Sequence, residues 1–126
     1  MIHIVKTSVG VMQVYENYVI GIVNEGETVT DLSNADLFKI AKTHFKNKKF
    51  VYISHRINSY AVDPVIYIQA SKIENLVGFA IVSSKKIARI NSQIEQIFSK
   101  KPLKTFTEIN DATEWANNAV READDK

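Results

Sequence analysis

The run Leu76–Val82, LVGFAIV, limits this chain more than any other stretch. It is too short for a free-standing helix and carries no polar alternation, so it reads as a strand covered on both faces. A strand of that kind belongs to a largely parallel sheet with helices packed over it. The segment behind it supplies a helix. Ser84 stands in the N-cap position, and Ile87, Ile90, Ile94 and Ile97 recur at three- and four-residue spacing with Phe98. Lys100, Lys101 and Pro102 close it. The isoleucine stripe is expected to face the core.

Three strands open the chain: IHIVKT, VMQVYE and YVIGIV, separated by turns at 8–10 and 16–17. Val11, Gln13 and Tyr15 alternate with Met12, Val14 and Glu16, as in an antiparallel meander. NEGETVTD reads as a polar connection. Ser33 is then the expected cap of a first helix, with Asp36 three residues on, a Leu32–Leu37 staple, and Leu37, Phe38, Ala41 and Phe45 at helical spacing. Lys46, Lys48 and Lys49 complement its C-terminal dipole. KFVYISH is the next strand. At Asp63-Pro64 a cap and a Pro at the first helical position compete with the strand-prone VIYI. Parallel flanking strands need a crossover, which decides for a helix reaching about Lys72. Strand LKTFTEI follows, then a helix capped at Asp111 with Glu114, presenting Ala112, Trp115, Ala116, Ala119 and Val120 inward. The tail from about 121, READDK, is expected to fray.

The fold class is therefore α/β in one domain, 1–126. An N-terminal antiparallel β-meander joins a mixed, largely parallel sheet with four helices, in the order β-β-β-α-β-α-β-α-β-α. Composition supports this and excludes several functions. At 126 residues, 45% hydrophobic and 24% charged, the chain is of ordinary globular composition. It has no cysteine, so thiol nucleophiles, disulfides and cysteine metal sites are impossible. The basic residues are 13 Lys and only 3 Arg, and the net charge is +2, a poor match for nucleic-acid grip. No apolar run reaches the roughly 18 residues of a membrane span, and the N-terminus lacks a secretion signal, so a cytoplasmic location is expected. Enzyme motifs such as G-x-S-x-G, a P-loop, G-x-G-x-x-G and H-E-x-x-H are missing, and His3, His44 and His55 lack metal-ligand spacing. Neither a cofactor nor a metal is expected.

The segments YVIGIV before a helix, FVYISHR, LVGFAIVSSKKIARINSQIEQIF and above all KTFTEINDATEWA make the chain resemble the STAS/SpoIIAA-like superfamily, which has a branch related to CRAL-TRIO lipid-binding domains. The resemblance runs over nearly the whole chain as a pattern of elements. It implies a SpoIIAA-like fold and a regulatory role through a protein partner. Anti-sigma-factor antagonists of that superfamily carry a phosphorylated Asp-Ser-Ser-Gly motif after a central strand. Here the same place reads SHRINSYAVDP, so control by that phosphorylation is not expected.

Ligands of open α/β sheets bind outside the carboxyl ends of the parallel strands. Two such ends carry Ser54-His55-Arg56 and Ser83-Ser84-Lys85-Lys86. Lysines at a helix start oppose the dipole, so these seven residues are candidate ligands for an anion that the helix N–H groups would also hold. Asn58, Ser59, Tyr60 and Asp63 are the loop and cap candidates between them. Two functions follow. The first is a non-enzymatic STAS-like binding or regulatory domain acting on a protein partner or small ligand. The second is an enzyme or carrier of a small anionic or lipid-like ligand. A deep apolar cavity under the loop 54–63 would favour the second, and a shallow or filled edge the first. The sequence assigns no oligomeric state.

Overall fold

The computed structural model describes residues 2–125, except the side chains at 31–34 and 89. The meander forms as its alternation demands: β1 (His3–Lys6), β2 (Gly10–Val14) and β3 (Tyr18–Val23) pair antiparallel. From β3 onward every neighbour in the main sheet is parallel. β5 (Phe50–His55), β7 (Leu76–Val82) and β8 (Leu103–Phe106) add in sequence order, giving six strands ordered β1-β2-β3-β5-β7-β8. Two short strands that the sequence did not announce, β4 (Thr28–Val29) and β6 (Ala61–Val62), pair parallel as a separate ribbon. Both lie in stretches read as loops. They are too short to show periodicity and are held by each other, with Ala61 N–H donating to Glu27 O at 2.9 Å and Asp63 N–H to Val29 O at 3.0 Å.

Helices cover both faces. α1 (Asp31–Ile40), α2 (Ile66–Ala70) and α3 (Lys86–Phe98) lie on one side, α4 (Ile109–Asp124) on the other. The first core joins Leu37, Ile40, Ile66, Tyr67 and Ala70 to Val14, Val19, Phe50, Leu76 and Phe79. The second joins Ala112, Ala116 and Val120 to Ile20, Val51, Ile53, Ala80 and Val82. Each large apolar side chain buried there contributes about 1.5–3 kcal/mol. The run at 76–82 is covered on both faces, as its lack of alternation requires.

Several boundaries differ from expectation. α1 begins at Asp31, before Ser33; the Ser33 cap and Leu32 staple lie outside the described residues. It runs on into a π-helical turn, Ala41–Phe45, and the Asn75 amide donates to Ala41 O within it at 3.4 Å and to Lys46 O and Lys48 O just beyond it at 3.0 Å. α2 is one turn shorter than expected, because Asp63 and Pro64 accept i+3 bonds from Ile66 and Tyr67 in a tighter lead-in turn. β8 stops at Phe106, and α4 starts at Ile109 rather than Asp111, leaving Asp111 in its first turn where the dipole favours acid. α4 continues through the tail to Asp124, where Lys49 Nζ donates to Ala123 O at 2.6 Å and lies 3.9 Å from Asp124.

The largest correction concerns α3. Its isoleucine stripe does not face the core. Ile87, Ile90, Ile94 and Ile97 are 63, 45, 52 and 79% exposed, while Ser92 and Glu95 are 1 and 3% exposed. Only Phe98 of the expected set packs against the core, and only in part. α3 thus turns Ser92 and Glu95 inward and its isoleucines outward.

Candidate functional site

That inversion has an electrostatic cause at the end of β5. Pairing with β7 puts Ser54 beside Ile81 and His55 beside Val82, so both carboxyl ends lie at one edge, as the parallel reading requires. Arg56 follows, and its N–H bonds back to Val82 O at 2.8 Å, turning the side chain under α3. A guanidinium buried there without a counter-charge would be very unfavourable. Glu95, the lone acidic residue between 86 and 101, supplies it. Arg56 Nη1 donates to Glu95 Oε2 at 2.9 Å, and Nη2 donates closely to Oε1 in a two-pronged pair. The Tyr67 hydroxyl also donates to Glu95 Oε1, at 2.7 Å. Arg56 Nε donates to Ser54 Oγ at 3.3 Å, Ser54 Oγ and the Tyr60 hydroxyl share a bond at 2.8 Å, and the guanidinium lies 5.7 Å from the Tyr60 ring centre.

Burial alone would lower the Arg56 pKa, but Glu95, with Tyr67 and Tyr60, more than offsets it, so the guanidinium stays charged. Burial, reinforced by the Glu95 charge, holds Tyr67 well above the usual phenol range, keeping its proton available to donate. No buried side-chain nitrogen or oxygen among the described residues lacks a partner. The network is closed upon itself and leaves no spare charge for a ligand.

Around it the loop 57–62 is strapped to the turn after β3. Asn58 Nδ2 donates to Val23 O at 3.0 Å, Ser59 N–H to Glu25 Oε2 at 2.6 Å, and Gly26 N–H to Ser59 O at 2.8 Å. Asp63 accepts the Val65 N–H at 3.1 Å, which makes it a turn residue. At the start of α3, Ser84 is not the cap. Lys85 occupies that position with extended backbone, and the Ser83 hydroxyl accepts the Lys85 N–H at 3.1 Å. Lys85 Nζ reaches over to Ser59 Oγ at 2.8 Å.

Of the candidate residues, Arg56, Asn58, Ser59, Tyr60, Ser83 and Lys85 line one shallow groove of about 80 Å³, with Asn91. His55, Ser84, Lys86 and Asp63 are not part of it, and Ser54 lies beneath it. His55 is partly buried, and burial lowers its pKa. An apolar cavity does exist, under α1 and α2 instead of the loop, lined by Met12, Gly21, Leu37, Tyr52, Ile66 and Phe79. At about 40 Å³ it falls far short of the roughly 300–1,000 Å³ of small-molecule sites. Glu95 and Tyr67 were missed in the sequence. Their only signal is that lone carboxylate in α3, set against an arginine at a strand end.

Among the described residues no group of three or more His, Cys, Asp or Glu is placed to hold a metal, and no helix is long and apolar enough to cross a membrane. No family model, curated protein or solved structure matches the chain.

Proposed function

We propose that this chain is a non-enzymatic, STAS-like binding or regulatory domain that docks another protein chain through the outward face of α3. One observation carries the reading: four isoleucines on a single helical face are 45–79% exposed while Ser92 and Glu95 of the same helix are turned inward and buried. A soluble domain gains nothing from that arrangement alone, and an exposed apolar patch of several hundred Å² marks an interaction surface. The buried ion pair supports the same reading. It fixes which way α3 faces, an orientational role that apolar packing would otherwise oppose. Sequential parallel strands with three helices on one face are compatible with the superfamily resemblance.

A small anion at the carboxyl edge is the less favoured use. There the Arg56 charge is consumed by Glu95, and Lys85 is engaged with Ser59. The docking reading is tested with a photoreactive amino acid placed at Ile94 in cells, against a control at Lys104 on β8. Cross-linked protein products from position 94 and none from 104 support it. Equal, background-level products from both would remove it.

A further inference from the structure

We infer that the occupant of the α3 face is a second copy of this chain, its α3 packed antiparallel against the first about a two-fold axis near Ser92. This rests on the docking reading above and names its partner. The spacing carries the argument. Ile87, Ile90, Ile94 and Ile97 follow the 3-4-3 pattern of a coiled-coil seam. A two-fold axis at position 92 brings Ile90 against the partner's Ile94 and Ile87 against the partner's Ile97, and the reverse contacts follow by symmetry. The seam is thus complementary to its own inverse. Every layer pairs isoleucine with isoleucine.

The flanks agree. Asn91 and Gln93 border the centre of the seam and carry no charge, so the central layers of two copies meet without like-charge repulsion. Lys85, Lys86, Lys100 and Lys101 lie at the ends, where the antiparallel arrangement brings like charges together, so pairing should strengthen with added salt.

The area also suffices. The seam continues onto neighbouring elements: Ile94 shares a groove with Val62 and Pro64, and Ile87 shares one with Asn58 and Ser59. Val65 and Ile68 at α2 and Ile57 beside the loop are 39, 38 and 56% exposed. With about 180 Å² for a fully exposed isoleucine, these side chains together expose about 650 Å² per copy, so a pair that covered all of them would bury at most about 1,300 Å². That lies within the roughly 1,200–2,000 Å² of a specific interface, while the seam alone would fall short.

Sedimentation velocity of the intact chain from about 1 to about 200 µM should show a monomer–dimer equilibrium, weakened at least about tenfold by Ile94→Gln or Ile97→Gln. Both sites are exposed, so the variants should melt with the dilute wild type, which separates lost pairing from lost folding. Since the chain has no cysteine, Ile90→Cys mixed with Ile94→Cys should form a disulfide heterodimer on mild oxidation faster than either variant alone. A wild type that stays monomeric throughout, a dimer indifferent to both Gln changes, or preferred 90–90 cross-linking would overturn the inference. A monomeric chain that still cross-links through position 94 to a different protein overturns self-pairing while leaving the docking reading intact. Monomer without cross-links overturns both.

Discussion

Replacing Glu95 with Ala should destabilise the protein more than any other exchange on α3. The carboxylate accepts two bonds from Arg56 and one from Tyr67, and the paired side chains are 7 and 4% exposed. Its removal leaves a buried guanidinium without counter-charge and a buried phenol without its acceptor. Breaking a buried pair from one side costs about 3–5 kcal/mol. For a chain of this length 1 kcal/mol corresponds to about 4 °C, so Tm should fall by about 12–20 °C. Arg56→Met combined with Glu95→Leu removes both charges and should recover more than half of the loss, since apolar replacement of a buried pair is often neutral. The remaining deficit belongs to Tyr67 and Ser54, which still lose partners at about 1 kcal/mol each. Urea and thermal unfolding followed by circular dichroism, arranged as a double-mutant cycle, measure the coupling. A cost below about 1 kcal/mol for Glu95→Ala, with additive single effects, would refute the reasoning that this pair sets the orientation of α3.

Other perturbations probe separate parts of the account. Asn75→Ala frees the Lys46 and Lys48 carbonyls just beyond the π-helical turn to water and should cost about 0.5–1.5 kcal/mol by urea unfolding. Gly21→Ala would place a Cβ onto the Tyr52 hydroxyl and should cost on the order of 1–3 kcal/mol, partly relieved by adding Tyr52→Phe. His55 titrates below its unfolded value of 6.5, so between its folded pKa and 6.5 the unfolded chain binds more protons. Stability should therefore fall as pH drops through that window, and His55→Gln should flatten the slope in urea titrations from pH 7.5 to 5. Lys85→Gln with Lys86→Gln should leave Tm unchanged or slightly higher, because both charges oppose the helix dipole. A phosphate-dependent thermal shift lost in that variant would instead favour an anion site.

Much of the fold was legible because strong local signals agreed with tertiary need. The unalternating run at 76–82 required cover on both faces, and Ala112, Ala116 and Val120 form a stripe that the structure buries. The short ribbon of β4 and β6 was not legible, since two-residue strands have no period and exist only through pairing across more than thirty positions. The orientation of α3 was misread for a different reason. Periodicity shows that a helix has an apolar face but not where that face points. An arginine buried 39 positions earlier decides it, by drawing Glu95 inward. The candidate loop was placed correctly at the carboxyl edge, yet Arg56 proved to be committed to an internal pair, a commitment that spacing along the chain does not reveal.

The outward direction of the α3 isoleucines is the claim on which docking and self-pairing both depend, and thiol accessibility tests it most directly. The chain has no native cysteine, so Ile94→Cys and Ser92→Cys each create one unambiguous probe. At sub-micromolar concentration, where pairing is absent, a maleimide should label position 94 at nearly the rate of an unfolded control. Position 92, 1% exposed in the native chain, should react only as fast as the protein opens. Rapid labelling at 92 with protection at 94 would mean that the isoleucines face the core, and would contradict the account.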